Sequence, residues 1–551
     1  PLFAGVYWDV QDVMMEDVDR VEIIRGPGAA VWGANAVNGV INIITKEAAN
    51  TQGFLASAGG GSENLASAAV RYGGTVGENG HYRIYSKLDY KDASELASGL
   101  DAQDESEMFR GGFRIDLHPA DGEQFTFQGD IYGGEGERQA TIPSLTSPTF
   151  NSQTMTDSNL GGGNLVARWS KELSEASNYS VQFFYDRTTR DEIFADQTID
   201  IYDLDFDHTF VPVDNHSLTW GLGYRIVSDD LKPGENGSFR EESRDLHLFS
   251  SFVQDEYEIL EKTLSLILGT KLEHNDYTGV EIQPTARLVY TPDTANTLWA
   301  SFSRAVRTPS RADSDIVLPV VAFPTDQGLP GLASIEGSND FDSEKLLAYE
   351  IGYRTQVTES FLVDLSTFYF DYTDLRAVRT GMPTPNFMSP IPHIDIISTV
   401  SNQDTLYSYG GELLLDWRAS DSIRFQASYS YIYYTASVLN PLSDAGIDFV
   451  FEGGVPEHQA TFRSQFDLTK TVELDSAIRY VDRLIDMDVA SYVELDLRLG
   501  WHITEDLELS IIGKNLLDDK HPEYSGLGLG VPSSEIERSV YGKITYRLPN
   551  S

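Results

Sequence analysis

The 551-residue sequence contains no cysteine. Disulfides, thiol catalysis and cysteine-ligated zinc are therefore excluded, and the absence is compatible with an oxidising periplasm or cell surface. Basic residues are scarce. Forty lysines and arginines stand against 85 aspartates and glutamates, a formal net charge of −45. That balance disfavours nucleic-acid binding, because a phosphate backbone needs a basic surface. Two explanations of the acidity stay open: a solvated surface suited to a salty habitat, or attraction of cations and cationic ligands. No apolar run approaches the roughly 18–20 residues of a spanning helix. Helical membrane proteins are ruled out by this, but β-barrels are not, since their apolar positions alternate. The opening residues PLFAGVYWDVQ do not read as a signal peptide and resemble the middle of a domain.

Catalytic motifs are missing as well. There is no GxSxG elbow, HExxH or P-loop. Gly26-x-Gly28 followed by Gly33 has the wrong spacing for a dinucleotide fingerprint, and no βαβ unit follows. The ten histidines lack zinc-ligand spacing; His208, His216 and His247 fall on strands or turns. The protein is expected not to be an enzyme and to hold no resident cofactor or metal.

What the sequence has in quantity is alternation. After about Asn50, stretches of roughly 8–12 residues alternate apolar with polar side chains. In YVELDLRLGW, Val493, Leu495, Leu497, Leu499 and Trp501 share one face, while Glu494, Asp496 and Arg498 share the other. YRIYSKLDY sets Tyr82, Ile84, Leu88 and Tyr90 opposite Arg83, Lys87 and Asp89. LSLILGTKLE sets Leu264, Leu266, Leu268 and Leu272 against Lys271 and Glu273. About 22 such segments run from Gly53 to Leu548, within the even-numbered range of bacterial outer-membrane barrels.

Their connections alternate in length. Short turns fall at 117–124, 259–263, 291–296, 418–422, 468–472 and 502–506; long ones fall at 133–162, 226–244, 305–345, 371–408, 434–457 and 514–537. Short periplasmic turns and long extracellular loops characterise a membrane barrel. A soluble sandwich or propeller has no reason to alternate in this way. Aromatics such as Phe183, Phe184, Tyr185, Tyr429, Tyr431, Tyr433 and Tyr434 sit near strand ends. Both interfacial girdles and plain β-propensity account for them.

The most specific string is residues 19–46, DRVEIIRGPGAAVWGANAVNGVINIITK. Val21–Ile24 and Val40–Thr45 are β-branched and read as strands. Between them Gly26, Pro27, Gly28, Gly33, Asn35, Asn38 and Gly39 require tight turns, positive φ or close backbone approach. The string, with Glu22 in its first strand, closely resembles the C-terminal half of the plug domain of TonB-dependent outer-membrane receptors. AVRTPS (305–310), FDSEKLLAYEIGYR (341–354), YGGELLLDWR (409–418), VPEHQATFR (455–463), NLLDDKHPEY (515–524) and the final SVYGKITYRLP resemble barrel motifs of the same family. Two positions depart from it: Asp342-Ser343 stands where proline is usual, and the chain runs on to Leu548-Pro549-Asn550-Ser551 where the family commonly ends on an aromatic.

The resemblance implies an all-β fold: a 22-stranded antiparallel transmembrane β-barrel over 51–551, with 1–50 as the C-terminal part of an internal plug. It also implies that the plug's first part, the TonB-contacting segment and the signal peptide are missing from this chain. Arg25 is expected to anchor the plug, facing Glu350 and Glu412 on the lumenal faces of their strands, although solvated lumenal carboxylates are the alternative. Phe3, Tyr7 and Trp8 correspond to an apical plug loop, where they either stack on a ligand or pack on the wall. Asp313, Asp315, Asp326, Glu336 and Asp340 in the loop 311–340 could attract cations, but their spacing matches no calcium loop.

The implied function is energised uptake of a scarce ligand across the outer membrane of a Gram-negative bacterium. The most favoured cargo is a ferric siderophore or other iron complex. Cobalamin, haem and oligosaccharide remain open, with a passive porin-like channel or a surface adhesin as rivals from other classes. The implied partners are TonB with its inner-membrane energising complex, outer-membrane lipid and lipopolysaccharide, and a small-molecule chelate, bound by a monomer.

Overall fold

The computed structural model describes residues 2–146, 148–326, 328–437, 454–525 and 532–548. Twenty-two long antiparallel strands close on themselves, the first, Gly53–Gly61, pairing with the last, Ser539–Leu548. Closure follows from the alternation in the sequence. Ile84, Leu88, Leu268, Leu272, Val493, Leu499 and Trp501 all point outward and are exposed, whereas Arg83 is buried on the lumenal side. In hydrocarbon the ladder must satisfy every backbone group, so no edge can be left open.

The short turns lie where expected. Ala120 meets Glu123, Leu260 meets Leu264 and Ser420 meets Ile423 across one end of the wall. Just inside that end, Phe125, Trp169, Tyr179, Phe206 and Trp220 stack from strand to strand with ring centroids 5.2–6.4 Å apart. Such a continuous band across neighbouring strands is an interfacial girdle and goes beyond a scatter of strand-favouring residues.

The long connections differ from the expectation. Much of 133–162, 226–244 and 371–408 is paired strand. Gly133 pairs with Gly161, and the ladder continues to Pro143 and Asn151; the strand His393–Ser420 is 28 residues long. Alternating polar and β-branched residues keep the ladder going past the bilayer, and loop-like composition did not reveal this. The connection 305–345 folds into a short helix, Arg311–Asp315, and a hairpin, Ile316–Pro324 with Pro330–Glu336. Its second arm pairs in parallel with 394–399. Parts of the connections 434–457 and 514–537, and the last residues Pro549, Asn550 and Ser551, lie outside the described residues.

The segment before Gly53 forms a separate two-stranded sheet. Val18–Arg25 pairs antiparallel with Gly39–Thr45, Val21 opposite Ile43 and Ile23 opposite Ile41. The turn between them contains a helical turn, Ala29–Trp32, where only loop was expected.

The lipid-facing rows set one test. Leu268→Arg, in the middle of an outward row, is expected to cost about 2–4 kcal/mol of folding free energy, measured by denaturant titration of folding into bilayers.

Candidate functional site

The site is built by the first 52 residues against the barrel wall. From Leu2 to Asp17 the chain has little regular structure and is fixed by side chains. Asp9 accepts two hydrogen bonds from Arg190, both 2.8 Å. Asp12 meets Lys87. Asp17 is sunk between Arg71 and Arg83, the second at 3.1 Å. Glu16 accepts from Lys543 at 2.6 Å. Backbone groups join in: Arg110 donates to the Val10 carbonyl, and the amide of Ala48 donates to Asp116 at 2.7 Å.

Sequence reasoning missed these acids. The acid-rich string WDVQDVMMEDVD and the inward arginines of RYGG and YRIY carried the signal. Partners more than 50 residues apart cannot be matched without the fold.

The turn of the hairpin docks on the opposite part of the wall. Arg25 pairs with Glu412. Glu350 does not pair with Arg25: it lies one residue further on, against Gly26, and accepts from the Ser301 hydroxyl at 3.1 Å. Gly26 has φ +72°, and a Cβ there would run into the Glu350 carboxylate. Arg25, the residue before, extends two strands along to Glu412. At Gly39 a Cβ would stand 2.7 Å from the Ile24 carbonyl, so this position is glycine for close approach alone.

The other motif residues are placed by hydrogen bonds. The Gly28 amide donates to Ala36 across Pro27 and the helical turn. Gly33 packs on Glu273, which also accepts from the Ala34 amide at 2.8 Å. Asn35, at φ 76°, donates its amide to Val306 and accepts from the Thr308 amide at 3.1 Å. Asn38 accepts from Tyr372 at 2.9 Å. Glu22 stays within the hairpin, on Arg20 and Asn42. Apolar contacts with the wall are small: Ala29 against Ala305, Leu346 and Ala348, Met14 against Leu55, and Leu2 against Leu231 and Phe239.

The three apical aromatics divide. Phe3 meets Tyr7 edge-on at 4.9 Å. Tyr7 packs on the wall, its ring 3.8 Å from the Arg190 guanidinium and its hydroxyl accepting from Gln197 at 3.0 Å. Trp8 is 63% exposed, and no ring contact fixes it among the described residues.

The acids of the loop 311–340 are largely neutralised by Arg311 and by arginines of neighbouring strands. Asp313 accepts from Arg307 and Arg376, Asp315 from Arg244 and Arg311, Asp229 from Arg311, and Glu336 from Arg240. Asp326 and Asp340 are exposed. The expectation that this loop attracts cations is corrected accordingly: Asp313 and Asp315 are each 1% exposed and already hold arginines. Among the described residues no group of three His, Asp or Glu could hold a metal. His216 instead bonds Asp255 at 2.8 Å and His247 bonds Tyr224 at 2.9 Å.

Two tests follow. Asp17→Asn leaves Arg71 and Arg83 buried without their counter-charge and is expected to weaken docking of the segment by about 3–5 kcal/mol. Arg25→Ala, at a half-exposed pair, is expected to change it by about 0–1 kcal/mol. Protease accessibility of residues 2–50 in folded barrels measures both.

The second test is pH. Burial would raise Glu16 and Asp313, but Lys543 for the first and Arg307 with Arg376 for the second hold both below the ordinary carboxylate range. A depressed carboxylate stabilises above its unfolded pKa of about 4 and loses that contribution as pH falls through the folded value. Docking and loop order are therefore expected to be constant from pH 7 to about 5 and to fall at more acid pH, read by the same proteolysis.

The family profile "TonB dependent receptor-like, beta-barrel" matches residues 48–516. The iron-regulated outer membrane virulence protein of Vibrio cholerae is 22% identical over 435 residues, covering 76% of this chain and 63% of the relative. The vitamin B12 transporter BtuB of the same species is 38% identical over 76 residues, 14% of this chain and 12% of the relative. A crystal structure of a mutant ferric enterobactin receptor from Pseudomonas aeruginosa superposes with a TM-score of 0.75 at 17% identity, covering 97% of this chain and 86% of that one, and shares the barrel fold. The chain spans just under two thirds of the length of the Vibrio iron-regulated relative. With the plug motif inside a closed 22-stranded wall and a profile match over most of its length, the chain belongs to the TonB-dependent receptor family of the Gram-negative outer membrane.

Proposed function

We propose that this chain is the barrel and the C-terminal plug part of a ligand-gated importer, driven by TonB and its inner-membrane energising complex, with a ferric siderophore as cargo. The observation that carries the proposal is how residues 2–50 are held. They touch the wall at separate points, through ion pairs and hydrogen bonds, with only small apolar seats. Contacts of this type can be exchanged for water one after another, so a pull on the segment meets a series of separate barriers, the largest at the buried Asp17. A continuous apolar seam would instead have to be exposed at once.

The outer membrane holds no nucleotide to drive uptake, so the work comes from outside the barrel. Ligand capture falls to the extracellular hairpins and the apex of the segment, where Trp8 offers an aromatic face and Phe3 and Tyr7 support it. The iron-regulated relative and the enterobactin-receptor fold favour an iron chelate. The short BtuB match favours cobalamin as the second reading.

The test uses the full-length gene in a host without its own iron and cobalamin receptors. Uptake of labelled ferric siderophores and of cobalamin is followed with and without a working TonB. Saturable uptake of a ferric siderophore that vanishes without TonB is expected. Saturable uptake of cobalamin alone would move the assignment to the second reading. Uptake that rises linearly and survives loss of TonB would mean a diffusion pore.

A further inference from the structure

Two neighbouring wall strands, Gly279–Tyr290 and Asn296–Arg307, part before they end. Each is paired along the whole of its other side, the first with Leu264–Asn275 and the second with 344–355. With each other they pair only over 285–290 and 298–303. The ladder stops at Pro284. In this register Pro284 stands opposite Arg304, and without an N–H it cannot donate to the Arg304 carbonyl. Beyond it, on the extracellular side, side chains bridge the gap. The Arg304 guanidinium donates to the Ile282 carbonyl, and the Ser343 hydroxyl donates to Glu281 at 2.6 Å.

Successive residues of a strand turn their backbone groups to alternate neighbours. The Gln356 amide donates to the carbonyl of Ala295, just before the second strand. Odd-numbered residues there face Glu344–Thr358, so Val306 and Thr308 face the gap. The Thr291 amide donates to the Thr263 carbonyl. By the same rule Val280 and Ile282 face the gap from the other side, as the Arg304 bond to Ile282 requires. The amides of Val280 and Ile282 have no partner among the described residues.

The plug takes one side of this gap. The Asn35 amide donates to the Val306 carbonyl at 2.8 Å, its Oδ1 accepts from the Thr308 amide at 3.1 Å, and its Nδ2 donates to the Thr308 hydroxyl at 3.3 Å. At φ 76° it turns both its backbone amide and its side-chain carbonyl to one strand. A single plug residue thus makes the bonds that a neighbouring strand would make. This edge cannot be left bare, because Val306 is fully buried and a buried carbonyl without a donor is costly. Continued past Pro284, the register of the ladder sets Ile282 opposite Val306 and Val280 opposite Thr308. The wall therefore carries a second set of partners for the groups that Asn35 holds.

We propose that this edge is a seam with two exclusive partners: Asn35 holds Val306 and Thr308 while the plug is docked, and Ile282 and Val280 close onto them when the plug turn withdraws. The proposal rests on the reading that the plug moves during uptake, and adds what the wall does meanwhile. Withdrawal then exchanges hydrogen bonds instead of losing them, and the outer end of the wall shuts as its filler leaves. Pro284 keeps the closed seam one bond short, which lets the plug return.

The test is hydrogen exchange, read by mass spectrometry on peptides covering 279–283 and 304–308 of the folded full-length receptor. In the wild type the Val280 and Ile282 amides are expected to exchange fast. In Asn35→Ala both are expected to slow roughly tenfold or more, with Thr308 still protected. Pro284→Val supplies the missing donor and is expected to give part of that protection with Asn35 in place. Tyr372→Phe removes a bond to Asn38, in the same plug turn but from another strand, and is expected to change neither peptide. Heat-modifiable migration confirms folded barrels.

Loss of Thr308 protection in Asn35→Ala without a gain at Val280 and Ile282 would mean that water fills the gap, and overturns the seam. Slow exchange of those two amides already in the wild type overturns it, as does an unchanged pattern in Pro284→Val. An equal gain in Tyr372→Phe also overturns it, because any loosening of the plug would then be enough. Neither cargo nor TonB enters the experiment, so its failure leaves the importer reading standing. Uptake that is independent of TonB would remove that reading and leave the closure of the seam.

Discussion

In the hydrocarbon of a bilayer an unpaired strand edge finds no water to bond. The pairing of Gly53–Gly61 with Ser539–Leu548 removes the last edge of the barrel wall. The remaining architecture follows from that closure. Twenty-two strands enclose a lumen far wider than their own side chains can fill. Every inward position is then a position beside water or beside an insert, and the inward rows become polar. An insert that must sit in such a lumen is held best by groups that match polar walls, which is what residues 2–50 present.

The polarity of that match is lopsided. Asp9, Asp12, Glu16 and Asp17 on the segment meet Arg190, Lys87, Lys543, Arg71 and Arg83 on the wall. Among the described residues, only the Arg25 ion pair with Glu412 runs the other way. The deepest of these, Asp17 between two arginines, is the one that could not be broken without leaving charge buried. The half-exposed Arg25 pair sets direction more than strength. A chain of net charge −45 thus spends much of its small stock of arginines inside: some on the segment, and others on the cluster around Arg311 that ties the extracellular hairpins together.

Much of the fold was legible in the sequence because a barrel wall repeats one local rule, alternation with period two. The rule survives wherever a strand faces lipid on one side, as at Leu268 and Leu272 or Val493 and Leu499. Turn lengths added the sidedness. The hairpin strands around RGPG were legible for the same local reason, and Gly26 and Gly39 for their backbone demands. What was not legible is long-range. Nothing local says that Glu412 and not Glu350 takes Arg25, since both sit inward on similar strands, and the answer depends on which residue of the turn reaches which height. Nor does composition tell a floppy loop from a paired arm, so 133–162 and 371–408 looked like connections. Asp313 and Asp315 looked like open acids because their arginines come from Arg244, Arg307 and Arg376, brought in by separate strands.

The parallel pairing of 331–336 with 394–399 also bears on the order of assembly. Two full crossings of the wall, Glu344–Thr358 and Phe361–Thr380, lie between these segments in the chain. A contact of such sequence separation is slow to find. The outward surface is therefore expected to reach its finished shape later than the neighbouring wall, whose antiparallel strands pair with near neighbours in the chain.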